Sequence, residues 1–177
     1  TSHSQSLLVS SAAFGLGYTI GDIKIGTNIS RTGRAPSVEE LYSDGPHVAT
    51  QSYEVGDPLL RSERSWNGEI YARYDSTRFD ATATLYANRF SNFIYENATG
   101  AIVDDLPEFE YLQRKARVWG IEAEASANIG SFGGFDVLLD GVADFTRATI
   151  KGEGPAPRIP PLRLLGGLEL QSDNFEL

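Results

Sequence analysis

The stretch Trp119-Gly120-Ile121-Glu122-Ala123-Glu124-Ala125-Ser126-Ala127-Asn128-Ile129 decides how the chain folds. Its odd positions are apolar or aromatic, and from Glu122 to Asn128 its even positions are polar. In an extended strand successive side chains point to opposite faces, so this alternation writes one greasy face and one wet face. The same pattern recurs on both sides. Residues 66–75 set Trp66, Ile70, Ala72 and Tyr74 against Asn67, Glu69, Arg73 and Asp75. Residues 79–87 place Phe79, Ala81, Ala83, Leu85 and Ala87 together. Further on, Phe135, Val137, Leu139, Ala143 and Phe145 oppose Asp136, Asp140 and Asp144. Alternation over 78–95 and 109–129 runs well past the roughly five or six residues of a soluble strand. Tilted strands of about nine to eleven residues are what cross a bilayer. The pattern predicts an all-β chain, an antiparallel meander belonging to a transmembrane β-barrel.

The punctuation agrees. Strands are expected over 7–17, 22–31, 66–75, 78–95, 109–129, 135–148 and 162–172, with an eighth beginning at Phe175. That gives about seven to eight strands. Tight turns are expected at 18–21, 76–77, 130–134 and 173–174, and longer loops at 32–65, 97–107 and 151–161. Outer-membrane barrels alternate short periplasmic turns with long extracellular loops. Trp66, Phe90, Phe93, Trp119 and Phe145 fall at the long-loop ends, and Tyr18, Tyr74, Phe79 and Phe135 at the short-turn ends, as two aromatic belts require. Within the longest loop, Ser37-Val38-Glu39-Glu40 fits a capping box and predicts a helical turn from Val38 to Tyr42.

Bulk composition narrows the function. The formal charge of −9 over 177 residues argues against nucleic acid, whose phosphates it could not neutralise, and against an anionic membrane surface. The chain has no cysteine, so disulfides and thiolate metal sites are excluded. No apolar run is long enough for a membrane-spanning helix. The first residues, Thr1 to Ser6, lack the basic start of a signal peptide, so an exported protein would have its beginning outside this sequence.

Two stretches carry a resemblance. Arg34-Ala35-Pro36-Ser37-Val38-Glu39-Glu40-Leu41-Tyr42 is followed by Tyr53-Glu54-Val55-Gly56-Asp57-Pro58-Leu59-Leu60-Arg61-Ser62-Glu63. Together they resemble the barrel region of TonB-dependent outer-membrane receptors, with Asp57 where that family usually has Asn. Phe109 to Glu124 and Pro157 to Arg163 extend the resemblance over most of 30–170. Gly45-Pro46-His47-Val48-Ala49-Thr50 further resembles a subgroup that includes zinc-uptake receptors. The resemblance implies a roughly 22-stranded barrel around an N-terminal plug. It also implies location in the bacterial outer membrane, lipid around the wall, TonB as the energy-delivering partner, and a metal chelate, metal ion or similar scarce nutrient as cargo. No cofactor and no enzymatic activity are expected. Plug, TonB box and final strands are not recognisable, so residues 1–177 are expected to be a partial barrel.

Candidate site residues sit in the long loop. His47 with Asp44 three residues earlier offers an imidazole and a carboxylate, which suits zinc or a similar metal. A lone loop imidazole without a second nitrogen ligand also reads as ordinary surface. Tyr42, Tyr53 and Glu54 are expected to help capture the ligand on the extracellular side. Acids outnumber bases on the polar strand faces, which suits a cationic or metal-bearing cargo. The competing reading is a soluble all-β domain that binds a ligand or partner. It requires the apolar faces to be buried against a second sheet.

Overall fold

A computed structural model describes residues 8–157, 159, 162–172 and 175–176. Eight strands form one continuous antiparallel path: β1 (Ala12–Ile20), β2 (Ile23–Arg34), β5 (Glu63–Asp75), β6 (Phe79–Val103), β7 (Leu106–Phe132), β8 (Phe135–Ile150), β10 (Leu162–Ser172) and β11 (Phe175–Glu176). Each pairs with its neighbour along that path, as the meander requires. Three short strands lie off it: β3 (Asp44–His47), β4 (Ser52–Val55) and β9 (Gly154–Pro155). The single helix among the described residues is α1 (Val38–Tyr42).

Register sorts the faces as the alternation demands. Ile70 stands opposite Leu85, Leu85 opposite Ile121, and Ile121 opposite Phe145. One rung further from the loops, Ala72, Ala83, Ala123, Ala143 and Leu164 line up. Among the described residues no second sheet covers this face. Ile121, Leu139 and Leu168 are 41%, 43% and 61% exposed, although a soluble sandwich would bury them. Apolar rows left open to solvent across a whole sheet are what a lipid-facing wall presents. The soluble reading therefore fails.

Several boundaries move. Tyr18, Thr19 and Ile20 belong to β1, and the turn is Gly21–Asp22, because Ile20 pairs with Ile23. The expected 97–107 loop is instead ribbon: β6 and β7 continue to a two-residue turn at Asp104–Asp105 with φ of 51° and 62°. Acidic residues and Gly100 made this segment look like loop. Phe90 and Phe93 leave the expected belt. A bulge lies between them, and they meet edge to face at 5.1 Å in a core with Tyr95, Ala116 and Ile150 on the opposite face from Trp119. Gly133 and Gly134, both at positive φ, make the tight β7–β8 turn. The expected strand start at residue 7, the turn at 173–174, and Arg158, Pro160 and Pro161 of the proline-rich block lie outside the described residues.

Candidate functional site

The segment between β2 and β5 is not slack. Arg34, at the end of β2, donates to both Glu40 carboxylate oxygens, at 2.8 and 3.0 Å. Glu40 closes the expected capping box: it accepts the Ser37 amide at 2.8 Å, while Ser37 Oγ accepts the Glu40 amide at 3.2 Å. Leu41 and Leu60 then bury themselves on Ile94 and Tyr111, with Leu60 only 2% exposed. The Arg61 amide donates to Gln113 Oε1 at 2.9 Å, and the Ile94 amide to Glu63 Oε2 at 3.0 Å. By alternation along β7, Tyr111 and Gln113 lie on the same side as Trp119 and Ile121. Beyond the tryptophans this segment thus covers the face that lipid covers below them.

Beyond α1, β3 and β4 form a small ribbon. β8 ends opposite Ala116, so the β7 edge beyond it is open, and β4 fills it in parallel, with Glu54 opposite Phe109. The ribbon has two faces. On one, Tyr53 Oη donates to Asp44 Oδ1 at 2.9 Å, and that bond raises the Tyr53 phenol above its ordinary range. On the other, Glu54 is 4% exposed and takes up four neighbours. Thr50 Oγ1 donates to it at 2.9 Å, Ser52 Oγ at 3.3 Å and Tyr111 Oη at 3.0 Å. His47 Nδ1 lies 3.1 Å from its Oε1 and 2.9 Å from Thr50 Oγ1. The His47 side chain is 52% exposed, and its Nε2 edge makes no hydrogen bond among the described residues.

Of the sequence-predicted residues, His47 and Glu54 come together, and so do Asp44 and Tyr53, but on opposite faces of the ribbon. Tyr42 ends α1 and is exposed. Among the described residues no group of three or more His, Cys, Asp or Glu converges to hold a metal ion. A second feature was not visible in the sequence. A cavity of about 690 Å³ opens between α1, the β6–β7 ribbon and the β8–β9 turn. It is lined by Phe93, Tyr95, Phe109 and Tyr111 with Glu40 and Glu153. The Tyr95 hydroxyl is buried there, and burial together with the neighbouring Glu153 holds the phenol above its ordinary range. Further down, the wet face carries a patch of Asn28, Asn67, Glu69, Tyr86 and Glu122, in which Asn28 donates to Glu69 at 2.6 Å.

The family model described as TonB dependent receptor-like, beta-barrel, matches residues 3–176. The chain belongs to this TonB-dependent receptor β-barrel family. Solved structures repeat its fold. The copper transporter OprC superposes with a TM-score of 0.77 at 16% identity, over 95% of this chain and 25% of its own. The siderophore receptor PirA from Pseudomonas aeruginosa gives 0.65 at 18%, over 92% and 31%. The ferric enterobactin receptor PfeA gives 0.66 at 19%, over 93% and 26%. The chain thus spans about a quarter to a third of the length of these structures. TonB-dependent receptor barrels are bacterial outer-membrane proteins, so the apolar face of this receptor segment is its lipid face.

Proposed function

We propose that this chain is part of the wall and extracellular cap of an uptake receptor that takes in a metal chelate or metal ion, with transport energised through TonB. Family membership supports the transport class. The copper transporter OprC, the siderophore receptor PirA and the ferric enterobactin receptor PfeA, which share this chain's fold, support a metal-bearing cargo. The inward carboxylates Glu69, Glu122 and Glu124 favour a cationic one.

The observation that carries the cargo contact is the fixing of His47. Metal-ligating histidines usually give their other ring nitrogen to a carboxylate, which sets the ring's orientation. Here Nδ1 sits against buried Glu54, leaving Nε2 facing outward as the coordinating atom. Asp44, held by Tyr53 on the other face of the ribbon, is a separate carboxylate that the cargo would engage only after releasing that phenol. Tyr42 and Tyr53 shape the outer surface. The aromatic cavity beside Tyr95 is a second, deeper stop for the cargo, because aromatic side chains and carboxylates line it together.

The test is metal-dependent uptake by cells carrying the full-length receptor. His47→Ala is expected to lower uptake about tenfold or more while the barrel assembles normally. Unchanged uptake and unchanged metal affinity would remove the His47 assignment. A full-length protein without a plug would remove the transport reading as well.

A further inference from the structure

The lipid face changes character abruptly at the tryptophans. From β5 to β8 the rows below Trp66 and Trp119 hold no charged side chain on that face: Ile70, Leu85, Ile121 and Phe145 form one row, and Ala72, Ala83, Ala123 and Ala143 the next. Directly above, every charge on this face is positive. Arg89 stands opposite Trp66 and Arg117, and Arg117 stands opposite Thr149. Lys115 and Lys151 form the next step, joined by the Lys151 amide donating to the Lys115 carbonyl at 2.8 Å. These four cations surround a groove of about 600 Å³ that Ser91 and Thr149 also line and to which no acidic residue contributes. All four are exposed, and none forms an ion pair among the described residues. Arg31 and Arg147 flank the row beside Trp66 and Trp119.

We propose that this groove binds the phosphate groups of an outer-leaflet lipid whose acyl chains lie on the apolar rows beneath. Height fixes the occupant. The cations begin level with the tryptophans, where Arg147 stands opposite Trp119 and Arg89 opposite Trp66, and the groove's Arg117 and Lys115 lie two and four residues above Trp119, about 7 and 13 Å along the strand, where headgroups meet water. Still higher, the 35–62 segment covers the same face through Leu60 and Gln113, so the groove lies between lipid tails and protein cap. Apart from Lys151, in the turn just past β8, its residues belong to the central strands β6, β7 and β8, so it does not depend on how the ends of the sheet continue. Charge complementarity is local: a chain of net charge −9 places the acids of its strands below the tryptophans on the wet face and these bases on the lipid face. On this proposal the rim is a local exception to the expectation, from net charge alone, that anionic membrane surfaces are avoided.

The experiment uses the full-length receptor in detergent micelles, titrated with diphosphoryl lipid A, its dephosphorylated counterpart and inorganic phosphate, with retained ligand read by native mass spectrometry. Each basic side chain removed is expected to weaken diphosphoryl lipid A about fivefold, so the triple variant Arg89→Gln, Lys115→Gln, Arg117→Gln should lose about 100-fold. Heat-modifiable gel migration reports whether that variant has folded. If it has not, Arg89→Gln alone carries the test with its fivefold loss, and Arg89→Lys should retain binding. Undiminished binding by a folded glutamine variant overturns the proposal. Equal binding of the dephosphorylated lipid overturns it too, since only apolar contact would then be at work. Inorganic phosphate competing as well as the lipid would make this a free-anion site and overturn the lipid assignment.

Discussion

Glu54 is the side chain on which the β3–β4 ribbon turns. It is buried, and it satisfies Thr50, Ser52, Tyr111 and His47 at once. Removing it leaves several donors unpaired, each costing about 1–3 kcal/mol where buried. Glu54→Ala is therefore expected to loosen residues 44–55, seen as faster amide hydrogen exchange there with little change in the membrane strands. Tyr53→Phe should loosen them less, because its bond to Asp44 lies on the exposed face. The sequence pointed to Glu54 as a capture residue in an open loop. Its burial could not be read there, since Tyr111 reaches it only through the parallel pairing of β4 with β7, across more than fifty residues. His47 and Asp44 looked like partners three residues apart. On a strand that spacing puts them on opposite faces, and an assumed loop hid the strand.

At the scale of elements, local chemistry was legible and non-local extension was not. The Ser37 capping box announced α1 and its boundaries. Ser37→Ala should cost about 1 kcal/mol locally. A drop in the thermal midpoint of proteolytic protection around residues 37–42 checks it. In the sequence the β6–β7 hairpin reads as strand, loop, strand, because Gly100 and the acids mimic loop composition. Cross-strand pairing carries the ribbon on to Asp104–Asp105, with a second irregularity between Ala98 and Ile102. Gly120 shows how tightly the wet face is built: an added Cβ would run into the Phe145 carbonyl and the Tyr86 ring. Gly120→Val should cut the folded, heat-modifiable fraction of the receptor sharply, whereas the same change at Gly68, which has open space around it, should not.

For the whole molecule, the period-two alternation in the sequence already fixed which residues share a face, and pairing of the strands added their height. Only register shows that Trp66 and Trp119 separate uncharged rows from a positive one, since Arg89, Arg117 and Lys151 are far apart in the chain. A cation on the lipid face at mid-depth, Ala83→Arg, should cost about 2–4 kcal/mol in a reversible folding titration, and its neighbour on the wet face, Thr84→Arg beside Glu122, close to nothing. The most direct test of the account is a spin-label scan of residues 119–127 in the full-length receptor in membranes, comparing collision with oxygen, which dissolves in lipid, and with a water-soluble nickel chelate. The account expects strict alternation, with oxygen favoured at Trp119, Ile121, Ala123, Ala125 and Ala127 and nickel favoured at Gly120, Glu122, Glu124 and Ser126. Loss of that two-residue period, or odd positions closed to both reagents, would contradict it.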